Sequence, residues 1–222
     1  MNTKIHYIYD IIEALRQYSD DSGITEDYIS FLIDDTRALL LRQKYNAPGS
    51  IIPLSIRQRL HMDLELVADN VFINTDKILR TVKPLPNLVE SFNFMNHFWA
   101  DSGSYVNIKF VYVTPERFPF VGHNKWLKDT VYVTIGQDYK VYLQSSNLKH
   151  RLLDKIRVYS IFENPKLAWE ESADYDENKI FEQDVNYPID LDMWINMKDI
   201  ILKQFITSLQ IPQDKTNNAD EL

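Results

Sequence analysis

The sequence predicts an α+β fold with helices at both ends of the chain around an antiparallel sheet. Three observations carry this. Apolar residues recur at helical spacing at both ends of the chain, and they alternate with a period of two in between. Turn-forming clusters separate the two regimes. The expected organisation is a helical hairpin over 1–49, an antiparallel β region over 50–165, an acidic excursion and C-terminal helix over 166–210, and an extended tail over 211–222. The C-terminal helix is expected to pack on the N-terminal pair as a small bundle.

Ile5, Ile8, Ile12 and Leu15 form one stripe of a 3.6-period helix, which stops at Ser19-Asp-Asp-Ser-Gly23. Thr25 offers an N-cap oxygen to a second helix, and Glu26 and Asp27 complement its dipole. That helix is apolar at Ile29, Leu32, Ile33 and Leu40, and it ends at Asn46-Ala-Pro-Gly49. Leu60–Val67 then alternates as a half-buried strand. Residues 104–114 and 130–143 are rich in β-branched and aromatic residues, with Gly136-Gln-Asp138 as a hairpin turn between Val131–Ile135 and Tyr139–Leu143. Arg157–Phe162 reads as a further strand, closed by Asn164-Pro165, and the acidic stretch after it reads as a surface excursion. Pro188 and Asp190 open the last helix, which carries Trp194, Met197, Ile201 and Phe205 on one face. Residues 211–222 are polar and aperiodic, a segment expected to order on docking.

Composition narrows the function. There is no cysteine, which removes disulfides, thiolate metal sites and cysteine nucleophiles. The histidines at 6, 61, 97, 123 and 150 are too far apart for paired-ligand motifs, and the five glycines are too dispersed for a phosphate-cradling loop. No apolar run approaches the ~18 residues of a bilayer span, and the first residues lack signal-peptide architecture. The formal net charge is −8, and all of it resides in residues 163–192, with ten acids against Lys166 and Lys179. A basic nucleic-acid footprint is thereby disfavoured. These absences point to a protein of a reduced compartment, without membrane insertion and without an enzyme's motifs.

Three constellations invite a chemical reading. His61, Asp63 and Glu65 share one face of the alternating strand, His97 lies near Trp99 and Asp101 beside Phe92, Phe94 and Phe98, and Asp190-Leu-Asp192 resembles half a cation site. A solvated strand face, an aromatic interface and a helix start account for them without catalysis. No catalytic, metal or cofactor site is expected. Arg37, Arg42, Arg57 and Arg59, with Lys44, are the basic concentrations; with Asp34, Asp35, Asp63 and Glu65 nearby, they suit ion pairs within or between subunits. The 28 aromatic residues suit broad protein–protein interfaces.

Two terminal stretches carry a resemblance. Tyr18-Ser-Asp-Asp-Ser-Gly-Ile-Thr-Glu-Asp-Tyr-Ile-Ser-Phe-Leu-Ile33, continued by Arg37-Ala-Leu-Leu-Leu-Arg-Gln-Lys-Tyr45, resembles the opening of virion connector proteins of crAss-like and related Bacteroidales phages. Asp214-Lys-Thr-Asn-Asn-Ala-Asp220 resembles their end, and Gln58-Arg-Leu-His-Met-Asp-Leu-Glu65 and Phe162-Glu-Asn-Pro165 fit between. These proteins are similar to the tubular adaptors of short-tailed phages. The resemblance implies a twelve-fold homo-oligomeric ring beneath the portal at the head–tail joint of the virion, assembled in the host cytoplasm. It implies a neighbouring ring or tail component that meets the 104–143 strands, and DNA that passes the lumen without specific binding. It implies portal docking by the tail, through Ile211, Pro212, Asp214, Lys215, Asn217, Asn218 and Leu222; in such a ring the basic concentrations place Arg37, Arg42, Arg57 and Arg59 as expected subunit contacts. A stopper or tail-completion ring further from the portal, a small hydrolase and a host-directed regulator remain as alternatives.

Overall fold

The structure is a computed structural model that describes residues 2–16, 24–46, 52–67, 78–89, 99–101, 108–124, 126–172 and 175–210. Helices α1 (Lys4–Arg16), α2 (Glu26–Tyr45) and α5 (Leu191–Gln210) form a helical body. Thr25 caps α2 as expected, its hydroxyl accepting from the Tyr28 amide at 3.3 Å. Trp194, Met197, Ile201 and Phe205 line the buried face of α5. The α1 stripe is rotated from the expected one: Ile8 and Leu15 are buried, but Tyr7 and Ile11 join them while Ile5 and Ile12 lie at its margin. Tyr7 stacks on Trp194 at 4.1 Å, and this aromatic contact sets the rotation. The expected turn at 19–23, the Phe92–Phe98 cluster with His97, and the tail 211–222 lie outside the described residues.

A seven-stranded sheet follows: β1 (Gln58–Leu66), β2 (Leu79–Thr81), β3 (Trp99–Asp101), β4 (Lys109–Tyr112), β5 (Thr130–Ile135), β6 (Val141–Gln144) and β7 (Lys155–Ser160). Its spatial order is β3-β7-β1-β2-β6-β5-β4. The sheet curls until the edge strands β3 and β4 approach within 8 Å between Cα atoms, giving a barrel-like body. Alternation along β1 sends Leu60 and Met62 into its core, with Val131, Val133, Leu143, Ile156 and Val158, and sends His61 and Asp63 to solvent.

Three expectations need correction. The sheet is mixed and not wholly antiparallel, because β4 runs parallel to β5 with Lys109 opposite Thr130 and Tyr112 opposite Val133. The β5–β6 hairpin forms, but Tyr139 is not yet strand. It sits at φ 57° in a turn closed by Gly136 N–H donating to Lys140 O at 2.9 Å, and β6 starts at Val141. The acidic stretch is more than a surface excursion. Asn164 caps α3 (Pro165–Glu170) through the amides of Lys166 and Leu167, and α4 (Phe181–Asp184) follows. From this stretch Trp169, Phe181, Tyr187 and Ile189 enter the helical core. Its described acids are exposed or half-buried, several of them paired: Glu182 with Lys166 at 3.0 Å, Glu171 with Lys83 at 2.8 Å and Glu163 with Arg42 at 3.5 Å.

Arg37 joins the two bodies. Its side chain is fully buried, with Nε donating to Pro188 O at 2.8 Å and Nη1 donating to Phe162 O at 2.9 Å. Its guanidinium lies over the Tyr187 ring, whose hydroxyl donates to Asp34 at 2.7 Å. Asp34 also pairs with the buried Lys4 at 2.7 Å. Burial pushes the Arg37 pKa down, while Tyr187 and Asp34 oppose that shift; burial, reinforced by Asp34, pushes the Tyr187 hydroxyl well up. Arg37→Met leaves two enclosed carbonyls without donors, so urea unfolding is expected to show a loss of about 3 kcal/mol. Tyr187→Phe, which removes one hydrogen bond and keeps the ring, is expected to cost only about 1 kcal/mol.

Candidate functional site

Two surfaces stand out, at opposite poles of the barrel. β7 begins at Lys155 opposite Asp63 and ends at Ser160 opposite Gln58. The segment preceding β7 and the helix following it therefore leave the sheet at opposite ends.

At the pole nearest the helical body lies a cleft of roughly 520 Å³ between the start of β1 and the α3–α4 segment. Trp169, Phe181 and Ala168 form its apolar wall, and Arg57, Gln58 and Arg59 form its polar wall. Gln58 Nε2 donates to Pro165 O at 2.8 Å, which holds α3 against the strand. Gln58 Oε1 and Ser172 Oγ are buried in the cleft wall without hydrogen-bond partners among the described residues. Burial lowers the Arg57 pKa. Among the lining residues Ser55 donates to Asp190 at 2.6 Å, and no described histidine lies beside it to act as base. The cleft thus sets two guanidinium groups on one wall against an aromatic surface on the other, a mixed lining of the size and polarity that a polypeptide segment can occupy.

At the opposite pole two loops meet. One contains the 3₁₀ turn Phe118–Phe120 and runs to Asp129, and the other contains the 3₁₀ turn Leu148–Leu152. Ser146 Oγ donates to Asn124 O at 3.2 Å and ties them together. Phe118 and His150 are buried beneath, whereas Phe120, Trp126, Leu148 and Leu152 project into solvent. Gly122 permits the first loop's close approach to β6, since its φ is 82° and a Cβ there would lie 2.9 Å from Gln144 Cγ. Ser145 receives the Asn147 amide and commits its single proton to Thr130 O. Ser145 Oγ also lies 2.8 Å from His150 Nδ1, a hydrogen bond that fixes the imidazole beneath the loops.

The remaining sequence-predicted residues scatter. Asp63 pairs with Lys155 at 3.3 Å, and Glu65 pairs with Arg80 at 2.6 Å and Lys140 at 3.8 Å, so the His61 row is part of a charged, outward strand face. Asp101 pairs with Arg157 across the β3–β7 register. Asp190 accepts from Ser55 and, at 3.4 Å, from Tyr45, whose hydroxyl is pushed up to about 12 by burial and that carboxylate. Asp192 is exposed in the first turn of α5. Of the four arginines expected at subunit contacts, Arg57 and Arg59 share the cleft and Arg42 is exposed beside Glu163. Arg37 departs from that expectation, because its own chain encloses it completely. The α3–α4 wall was missed, although Asn164-Pro165 ahead of Leu167 and Trp169 is an N-cap and N1 signal.

A chain with a peptide-sized cleft at one pole, a projecting apolar plate at the other and a buried cation locking its two bodies has the features of an assembly subunit. Residues 6–221 match the family of phage tail ring protein 2, and the chain belongs to that family, as a structural component of a phage tail. It is similar to ring protein 2 of Bacteroides phage crAss001, with 27% identity over 220 residues covering 96% of this chain and 95% of that protein.

Burial holds the His150 pKa below its ordinary value, with Asp129 opposing the shift. A depressed histidine favours the folded state above about pH 6.5, and that contribution is lost as pH falls below it. Thermal melts are expected to show stability declining from pH 6.5 to 5, with a shallower decline in His150→Gln. An identical slope in the variant would assign the titration elsewhere.

Proposed function

We propose that the protein forms a closed homo-oligomeric ring beneath the portal, at the head–tail joint, through which DNA passes without being held. The observation that carries this reading is the match to a tail ring family over nearly the whole chain. The physical features agree with it. A ring needs two different faces on each subunit, related by a rotation that closes, and this chain has distinct poles. Its excess negative charge is confined to one stretch and disfavours adhesion to phosphates.

In this reading residues 211–222 dock on portal subunits, through Ile211, Pro212, Asp214, Lys215, Asn217, Asn218 and Leu222. Arg57 and Arg59, on the cleft wall, and Arg42 contribute to contacts with neighbouring subunits. Membership of a tail ring family also suits a second reading, a stopper or tail-completion ring further from the portal.

Mass photometry of the chain with and without portal protein separates these readings. Co-assembly with portal is expected for the first, and self-assembly that ignores portal supports the second. A chain that stays monomeric in both samples overturns both. Removing Gln210–Leu222 is expected to abolish portal docking while the circular dichroism spectrum stays unchanged, and docking that survives the truncation rules out the tail as anchor.

A further inference from the structure

The plate at the far pole combines two properties. Trp126 is 93% exposed, Phe120 80%, Leu152 73% and Leu148 67%. With Leu127, their exposed fractions amount to roughly 700 Å² of apolar surface, close to the ~800 Å² that each partner contributes to a stable interface. Exposure of this kind on one set of loops marks a covered surface. The segments that carry these residues, 117–128 and 148–152, contain Arg117, Lys125, Lys128, Lys149 and Arg151 and no acid, although Glu116 and Asp129 flank the first.

The complement lies on the same chain, at the other pole. Around α3 and α4 the side chains of Leu167, Tyr175 and Ile180 are exposed, interspersed with the exposed acids Glu170, Glu177 and Asp184. One surface is apolar and basic and the other apolar and acidic, and the register of β7 puts them at opposite ends of the barrel.

We propose that the plate around Trp126 of one copy seats on the acidic α3–α4 face of the next copy, making the head-to-tail contact that closes the ring. This rests on the ring reading and refines it. The loop 117–128, within the region expected from resemblance to meet the next tail component, is assigned instead to the next subunit. Hydrophobic area supplies the affinity, and the opposite charges set orientation and suppress plate-to-plate pairing.

Sedimentation velocity of the full chain tests the contact, with circular dichroism confirming that each variant is folded. Trp126→Glu is expected to weaken self-association roughly 30-fold, as loss of a central aromatic anchor does. Lys128→Glu/Lys149→Glu and Glu170→Lys/Glu177→Lys are each expected to sediment as monomers, while an equimolar mixture of the two recovers assembly. Such recovery requires plate and face to meet, and variants that dissociate alone without recovering in the mixture overturn the assigned face. Wild-type assembly that is unaffected by Trp126→Glu overturns the plate. If Trp126→Glu instead abolishes binding to a short DNA duplex and leaves assembly intact, the plate is a nucleic-acid contact and the proposal falls. A wild type that stays monomeric at every concentration removes the ring reading itself, and the contact with it.

Discussion

A guanidinium without access to water sits where the helical body meets the barrel, and its surroundings explain why it is tolerated. Arg37 reaches from the middle of α2 to the Phe162 carbonyl, just after the last strand, and to the Pro188 carbonyl, just before the last helix. Those carbonyls belong to irregular backbone that no ladder or helix satisfies, so the cation removes a desolvation cost as well as bearing one. Tyr187, Asp34 and Lys4 complete the cluster and bring the start of α1 to the same point. A two-residue apolar contact could hold these segments together but could not fix their relative rotation. The hydrogen-bonded fork does, and the relative placement of cleft and plate follows from it.

The parts of the fold legible in the sequence are those whose pattern is local. Thr25 with Glu26 and Asp27, the α5 stripe and the alternation of β1 each depend on neighbours within a few residues. The parallel register of β4 on β5 does not, since nothing local in Lys109–Tyr112 distinguishes the two orientations. The three-residue strands β2 and β3 are too short to show a period. Arg37 illustrates a signal that was present and outweighed by charge: it occupies the four-residue series Ile29, Ile33, Arg37, Leu41, Tyr45, the buried face of α2. The acidic stretch misleads in the opposite sense. Its net charge hides Trp169, Phe181 and Tyr187, and these aromatics, unlike the carboxylates around them, determine where the segment lies.

Membership of a tail ring family gives these features a common purpose. Cleft and plate are carried by segments tied down by hydrogen bonds: Gln58 holds α3 to β1, Ser145 reaches Thr130 of β5, and Ser146 joins the two plate loops. Rigid presentation matters in a closed ring, where a small angular error at each contact accumulates around the circle. The acids of α3–α4 that pair with Lys83, Lys166 and Arg42 stiffen the same wall, although exposed pairs of this kind stabilise it only slightly.

The curling of the sheet has its own consequence for a protein made in many copies at once. An open edge is a template on which another chain adds a strand, and such growth has no natural end. Among the described residues both edge strands are only three or four residues long, and they come within 8 Å of one another between Cα atoms. Short edges that lie beside one another offer little template for strand addition, which leaves recognition between copies to side chains, whose geometry can specify a finite number.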